Sequence, residues 1–284
     1  MRDRSHAIHV ALALVLVFAA AGPALAQQDP NEDRWHDTAE FSYVVTAGNS
    51  ETNTLGFKNK LWRAWEKSGF ELNAGGVRAE ATRKFAVGDP NSFDIEEEKD
   101  LTAEAYYING RYDHKITDHF FWFASAGWDR NTFAGIDNRY TGAVGVGNQW
   151  IDTDDIKFRT DYSITYTKED AVVDDPTFDD SFVGARVSYG YVNKLTDNVT
   201  FTSDLIVDDN LEDTTDLRAN MTNSVAVSMT KRLALKVSVQ LLYDHQPAIG
   251  SFDLFDTAGF NIGTVDDELD TLDTIFTTSL VINI

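Results

Sequence analysis

A chain of 284 residues in which Asp and Glu outnumber Lys and Arg by 46 to 24, for a net charge of −22, has no general attraction to nucleic acid. It contains no cysteine, which excludes disulfides and a lipid-modified N-terminal Cys. A slightly negative mean hydropathy does not separate a soluble β domain from a membrane barrel, because a barrel hides its apolar band in every second residue.

The N-terminus reads as a secretory address. Arg2 and Arg4 lie in a polar start, Val10 to Ala20 forms an apolar core, and Ala24-Leu25-Ala26 is a small-x-small cleavage site before Gln27. The expected organisation is a signal peptide over 1–26, a short periplasmic segment over 27–37 and a barrel over 38–284. Beyond the signal the charge is localised. Segments 88–100, 169–180, 208–216 and 246–273 hold 24 acids and one base, Lys99, while the rest of the mature chain is neutral as a whole.

Strand patterns then follow in order: Phe41 to Ala47, Leu55 to Arg63, Phe70 to Thr82, Leu101 to Tyr112, Phe120 to Trp128 and Tyr140 to Trp150. In the third, Gly75-Gly76 shifts the alternation and predicts a bulge. In the fifth, Phe120-Phe121-Trp122-Phe123 assigns no face over 119–126. The clearest strand is Ile156 to Thr167: Ile156, Phe158, Tyr162, Ile164 and Tyr166 share one face, with Thr160 among them, and Lys157, Arg159, Asp161, Ser163, Thr165 and Thr167 the other. Strands from Val183, Val199, Leu217 and Leu233 repeat the pattern. A last strand places Leu272, Phe276, Leu280, Ile282 and Ile284 on one face, similar to the terminal signal read by outer-membrane assembly machinery, though with Ile where Phe is usual.

These twelve strands predict an all-β, antiparallel up-and-down transmembrane β-barrel. An even count returns both termini to the periplasm, and the acidic segments then fall on outer connections while Asp152 to Asp155 and Thr230 to Arg232 form short inner turns. The turn Lys115-Ile116-Thr117-Asp118-His119 recurs as Lys194-Leu195-Thr196-Asp197-Asn198. With Gly48-Asn49-Ser50-Glu51-Thr52 and the glycine pattern from Arg139 to Gly147, these motifs resemble the YdiY-like family of salt-induced outer membrane proteins. That resemblance implies an outer-membrane barrel and assigns no catalytic residues.

The polar faces put Lys58, Lys60, Arg78, Lys157, Arg159, Arg186, Arg218 and Lys236 in the lumen with Glu40, Glu80, Asp161, Asp204, Asp244 and Asp273. Counting from the turns, Asp161, Arg186 and Asp204 share a height, which predicts that Arg186 bridges the two carboxylates. Two readings stay open: a salt-bridged filling, or a charged eyelet for small ions. Lumenal Gly145, Gly147, Gly184, Gly190, Ser163 and Ser224 tilt the balance toward a narrow water-filled passage. Glu96, Glu97, Glu98, Asp174, Asp175, Asp208, Asp209, Asp266, Asp267 and Glu268 would supply weak Ca²⁺ or Mg²⁺ sites in outer loops, against the plainer reading of solvated charge runs.

Catalysis is not expected, because neither the His-x-Ser pair of barrel phospholipases nor the Asp-x-His pair of omptin-like proteases occurs in the mature chain. His36 precedes the predicted barrel, His114 and His119 flank a turn, and His245 reads as a rim residue. Trp62 and Trp122 are minor candidates for carbohydrate stacking. The expected setting is the outer membrane of a Gram-negative-type bacterium, as a monomer, with lipids and the assembly machinery as partners and no resident cofactor. Its expected task is a narrow pore or an envelope barrel under salt stress, the alternatives being a non-conducting barrel with cation-binding loops or, less favoured, a lipid-modifying enzyme.

Overall fold

The computed structural model describes residues 34–46, 51–89, 92–173, 180–255 and 260–283. The signal peptide, Gly48 to Ser50, Asp174, Asp175 and Ile284 lie outside the described residues.

Alternating patterns become strands because a period of two sends successive side chains to opposite faces of a sheet. The strands are β1 (His36–Thr46), β2 (Glu51–Ala64), β3 (Ser68–Asp89), β4 (Ser92–Lys115), β5 (Phe120–Asn131), β6 (Ile136–Asp152), β7 (Ile156–Ala171), β8 (Ser181–Thr196), β9 (Val199–Asn210), β10 (Leu217–Ser228), β11 (Leu233–Asp244), β12 (Ile249–Phe255), β13 (Asn261–Glu268) and β14 (Leu272–Asn283). Twelve of them close a barrel in the order β1-β14-β11-β10-β9-β8-β7-β6-β5-β4-β3-β2, every pair antiparallel. The expected all-β up-and-down barrel is the fold. Closure removes the edges that an open sheet would leave unpaired.

One end of the barrel carries short turns, four of them built alike. Thr117, Thr153, Thr196 and Thr230 each accept, through Oγ1, the amide proton of the residue three positions on: Phe120, Ile156, Val199 and Leu233, at 2.9 to 3.1 Å. This local bond reverses the chain without leaving the first strand amide bare. It explains why the Lys-Ile/Leu-Thr-Asp turn repeats.

The opposite end carries the longer connections, and it corrects one expectation. Much of the acidic sequence assigned to loops is paired strand. The β3–β4 pairing continues to Asp89↔Ser92, carrying Glu96, Glu97 and Glu98 within β4. Segment 246–273 contains a separate hairpin, β12 with β13, inserted between barrel strands β11 and β14 and carrying Asp266, Asp267 and Glu268. Pairing gives these backbones hydrogen bonds that a bare loop would have to find in water.

The base of that insertion crosses the barrel mouth. Ala248 and Leu269, joined by Leu269 N–H to Ala248 O at 3.1 Å, lie against Gly135 at the end of a 3₁₀ turn (Thr132–Ala134) between β5 and β6, the strands facing β11 across the barrel. Gly135 has φ 76° and no room for a Cβ beside Ala248, so both conformation and contact require glycine. Gln246 adds hydrogen bonds to Asp213 and Thr215 in the β9–β10 connection. Bonds from Thr215 first, and from Gln246, hold the Asp213 carboxyl below the usual carboxylate range.

The outward faces form an apolar band, with Val144, Ile164, Val187, Val237 and Phe276 all exposed. Aromatic residues gather toward the short turns: Trp122 packs against Tyr112 and His114, and Tyr191 against Phe158 and Phe201. Arg63 lies over the rings of Trp35 and Trp65. Such girdles of amphipathic rings beside cations mark a water interface.

Candidate functional site

Three layers of side chains occupy the lumen. Nearest the short turns, Asp161 Oδ2 accepts from Arg111 Nη1 at 2.9 Å and from Arg159 Nη2 at 3.0 Å, while Arg111 also holds Asp113 at 2.7 Å. The Arg111 guanidinium lies 3.7 Å from the ring centre of Phe123, and Phe121 lies beneath both arginines. Asp161 and Arg159 are each 3 % exposed, so this cluster packs the section too closely to line an open channel for hydrated ions. Around the same section Lys60 pairs with Glu71 at 2.9 Å and Lys236 with Glu40 at 2.8 Å.

Phe121 and Phe123 face inward, while Phe120 and Trp122 face out, which settles the faces of 119–126. Arg111, Asp113 and Glu71 were missed by sequence reasoning. Alternation over Tyr106, Ile108, Gly110 and Tyr112 would have placed Tyr107, Asn109, Arg111 and Asp113 together on the opposite, lumenal face.

Above this layer the filling is apolar on one side. Val77 and Ile275, each 1 % exposed, pack with Ala105, Tyr107 and Leu242 inside the barrel. Gly75 admits the Tyr107 ring, which passes 2.7 Å from where a Cβ would lie. This layer reverses two expectations. No bulge interrupts Gly75-Gly76, since pairing with β4 is continuous there and shifts only between Ala79 and Glu80. Val77 and Ala79 therefore face inward, and Arg78 and Glu80 face outward. Arg78 is not lumenal. It pairs with Glu80 at 3.1 Å and Glu104 at 3.7 Å on the outer surface. Ten residues from the start of β3, at ~3.3 Å per residue and a tilt of about 40°, bring Arg78 roughly 25 Å up, the top of an apolar band.

The third layer is a cavity of about 200 Å³ at the long-loop end. Arg139 pairs with Asp129 at 2.8 Å and Glu169 at 3.5 Å; Arg218 takes Glu169 at 2.8 Å, Asp216 at 2.9 Å and Asp244 at 3.5 Å. Asp270 and Asp273 also line this cavity, and Tyr107 and Leu242 join it to the apolar cluster below. Arg186 belongs here. It binds Asp208 through two bonds of 2.6 and 3.0 Å, so it does not bridge Asp161 and Asp204. Pairing is the reason: Arg186 stands opposite Asp208 and Ser163, whereas Asp204 stands opposite Gly190 and Asp161 opposite Ser188.

The remaining predicted residues are dispersed. Lys157 pairs with Asp152 at the short-turn rim, and Lys58 faces inward on β2 near Glu40. The lumenal glycines leave less space than expected: the region above Gly147 is taken by Phe121 and Asp161, and that above Gly184 by Thr165. Among the described residues no three His, Asp or Glu side chains group to hold a metal ion. His36 is the first residue of β1, not a residue ahead of the barrel, and stacks on Trp62 with ring centres 4.0 Å apart. His245 accepts or donates at Nδ1 to the Tyr243 hydroxyl, 2.9 Å away.

A family described as a protein of unknown function, DUF481, matches residues 39–263. The chain belongs to this family. The YdiY-like resemblance agrees with that membership. Among curated proteins none matches the sequence. Solved structures that resemble this DUF481 chain are barrels. The NanC porin shares 12% identity at a TM-score of 0.45, over 87% of this chain and 97% of the porin. The KdgM porin shares 8% at 0.42, over 86% and 98%. The translocator domain of the autotransporter NalP from Neisseria meningitidis shares 10% at 0.42, over 90% and 89%. At these scores nothing about solute or selectivity transfers to the DUF481 chain.

Proposed function

We propose that the protein is an outer-membrane barrel whose lumen is closed to ions and solutes at rest, with a small roofed acidic cavity toward the cell exterior. The observation that carries this reading is the sequence of closures along the barrel axis: the Ala248–Leu269 base over the mouth, the Val77–Ile275 cluster in the middle, and the Arg111–Asp161–Arg159 cluster below. An apolar outward band, aromatic girdles, short turns at one end and acidic connections at the other support insertion in the outer membrane with the short turns in the periplasm. This favours the non-conducting envelope barrel over the open pore. Catalysis has no part in the reading, and the partners are membrane lipids and the barrel assembly machinery. Exposed Asp267 and Glu268 on β13 extend it to weak Ca²⁺ or Mg²⁺ association at the outer surface.

Liposome swelling tests the closed lumen. Vesicles carrying folded protein, diluted into an isotonic small sugar, are expected to keep their turbidity like protein-free vesicles. A turbidity fall that scales with protein content would overturn the reading.

A further inference from the structure

The closed layers contain polar atoms that the protein does not satisfy. Arg159 Nη1, Asp161 Oδ1, Ser163 Oγ and Asp204 Oδ1 are buried and, among the described residues, have no hydrogen-bond partner. Leaving such groups bare costs about 1–3 kcal/mol each, so a folded barrel has a reason to supply partners. Three of the four follow one another on the lumenal face of β7, at positions 159, 161 and 163. The next two inward residues, Thr165 and Thr167, line the outer cavity. The unsatisfied atoms thus form a file that leads down from that cavity.

The register puts a glycine on one side of each of the three β7 residues, while on the other side Ser163 faces Arg186, Asp161 faces Ser188 and Arg159 faces Gln149. Ser163 stands opposite Gly145 and Asp161 opposite Gly147 on β6, and Arg159 opposite Gly190 on β8. At each of these pairings the neighbouring strand contributes no side chain. Beside Gly190 real room remains: a Cβ there would lie 3.4 Å from Asp204 Oδ1 and 3.9 Å from Arg159 Nε, both ordinary contacts. A donor and an acceptor therefore face one small space. Inward residues along a strand are ~6.6 Å apart, a gap that one or two waters with hydrogen bonds of about 2.8 Å can span.

We propose that a file of water molecules runs along β7 from the outer cavity, past Ser163, Asp161, Arg159 and Asp204, to the short-turn end, and that the barrel passes water while excluding ions. The inference deepens the closed-barrel reading and rests on it for the exclusion of ions. Water fits because Arg159 Nη1 needs an acceptor while Asp161 Oδ1 and Asp204 Oδ1 need donors, and one small neutral molecule serves both needs. A hydrated ion does not fit, since the neighbouring guanidiniums and carboxylates already neutralise one another and their near-complete burial leaves no width for a hydration shell.

The test is osmotic shrinkage of proteoliposomes followed by stopped-flow light scattering. Wild-type vesicles are expected to shrink several-fold faster than protein-free ones. Gly190→Val, which fills the space beside Asp204, and Ser163→Val, which removes a hydroxyl and adds bulk, are expected to return the rate toward the protein-free value. Both must still migrate as folded barrels on unheated gels, and the two variants cover each other should one fail to fold. A wild-type rate equal to that of protein-free vesicles would overturn the water file and leave the closed barrel standing. Folded variants as fast as wild type would overturn its placement on β7. Fast shrinkage accompanied by ion leakage would overturn the exclusion of ions.

Discussion

Asp161→Ala is expected to lower the unfolding free energy by about 3–5 kcal/mol, the range for removing one partner of a buried charge cluster. Arg111 and Arg159 both donate to Asp161 Oδ2, and both are buried, so the substitution strands one guanidinium and leaves the other with Asp113 alone. The damage comes from the charges left behind more than from the bonds lost. Replacing all three groups with apolar side chains of similar volume, Arg111→Met, Arg159→Met and Asp161→Leu, should therefore recover much of the loss. Urea unfolding in vesicles, followed by tryptophan fluorescence, measures both. A loss below about 1 kcal/mol for Asp161→Ala would mean that the two guanidiniums find other partners once the carboxylate is gone, and would deny the cluster its structural weight.

Val144→Arg is expected to cost about 2–4 kcal/mol, whereas the same charge at Leu195 should cost about 0–1 kcal/mol. Val144 is 65 % exposed on the outward face of β6, between Tyr140 and Trp150, and Leu195 is exposed beside a short turn. If the barrel stood in water, both would be surface substitutions within about 0.5 kcal/mol of neutral. The difference between the two positions reads the depth of the surrounding lipid. Reversible unfolding of each variant from vesicles gives that difference, and equal effects would deny the membrane placement.

Most of the barrel was legible because both faces of most strands keep one polarity along their length. Ile156 to Thr167 is apolar outside, with Thr160 the single exception, and polar inside, and the register leaves that reading intact. β3 is different: its two faces exchange polarity halfway. Below, Glu71 and Asn73 face in and Phe70 and Leu72 face out; above, Val77 and Ala79 face in and Arg78 and Glu80 face out. A bulge would produce the same string, and sequence alone cannot separate a change of register from a change of surroundings. The cause is environmental. At that height the outer face leaves the apolar band while the inner face enters the cluster with Ala105 and Ile275.

The lumenal pairs were harder to read. Face assignment identifies which residues look inward, but partner choice depends on register across several strands. Arg186 goes to Asp208 because the strand pairing brings those two directly opposite. The Asp161 cluster joins β4 to β7, with β5 and β6 between them around the wall, through the long reach of Arg111. Glycine likewise misled when counted alone. An absent side chain opens space only if the neighbours leave it empty, and Phe121 and Asp161 fill the space at Gly147, while the space beside Gly190 stays free of side-chain bulk.

The most direct test of the closed lumen is electrical. Single-channel recording of the refolded protein in a planar bilayer, with heat-modifiable migration confirming the fold, is predicted to show a silent membrane at both low and high salt. Discrete, reproducible conductance steps from the folded wild-type protein would contradict the closed barrel.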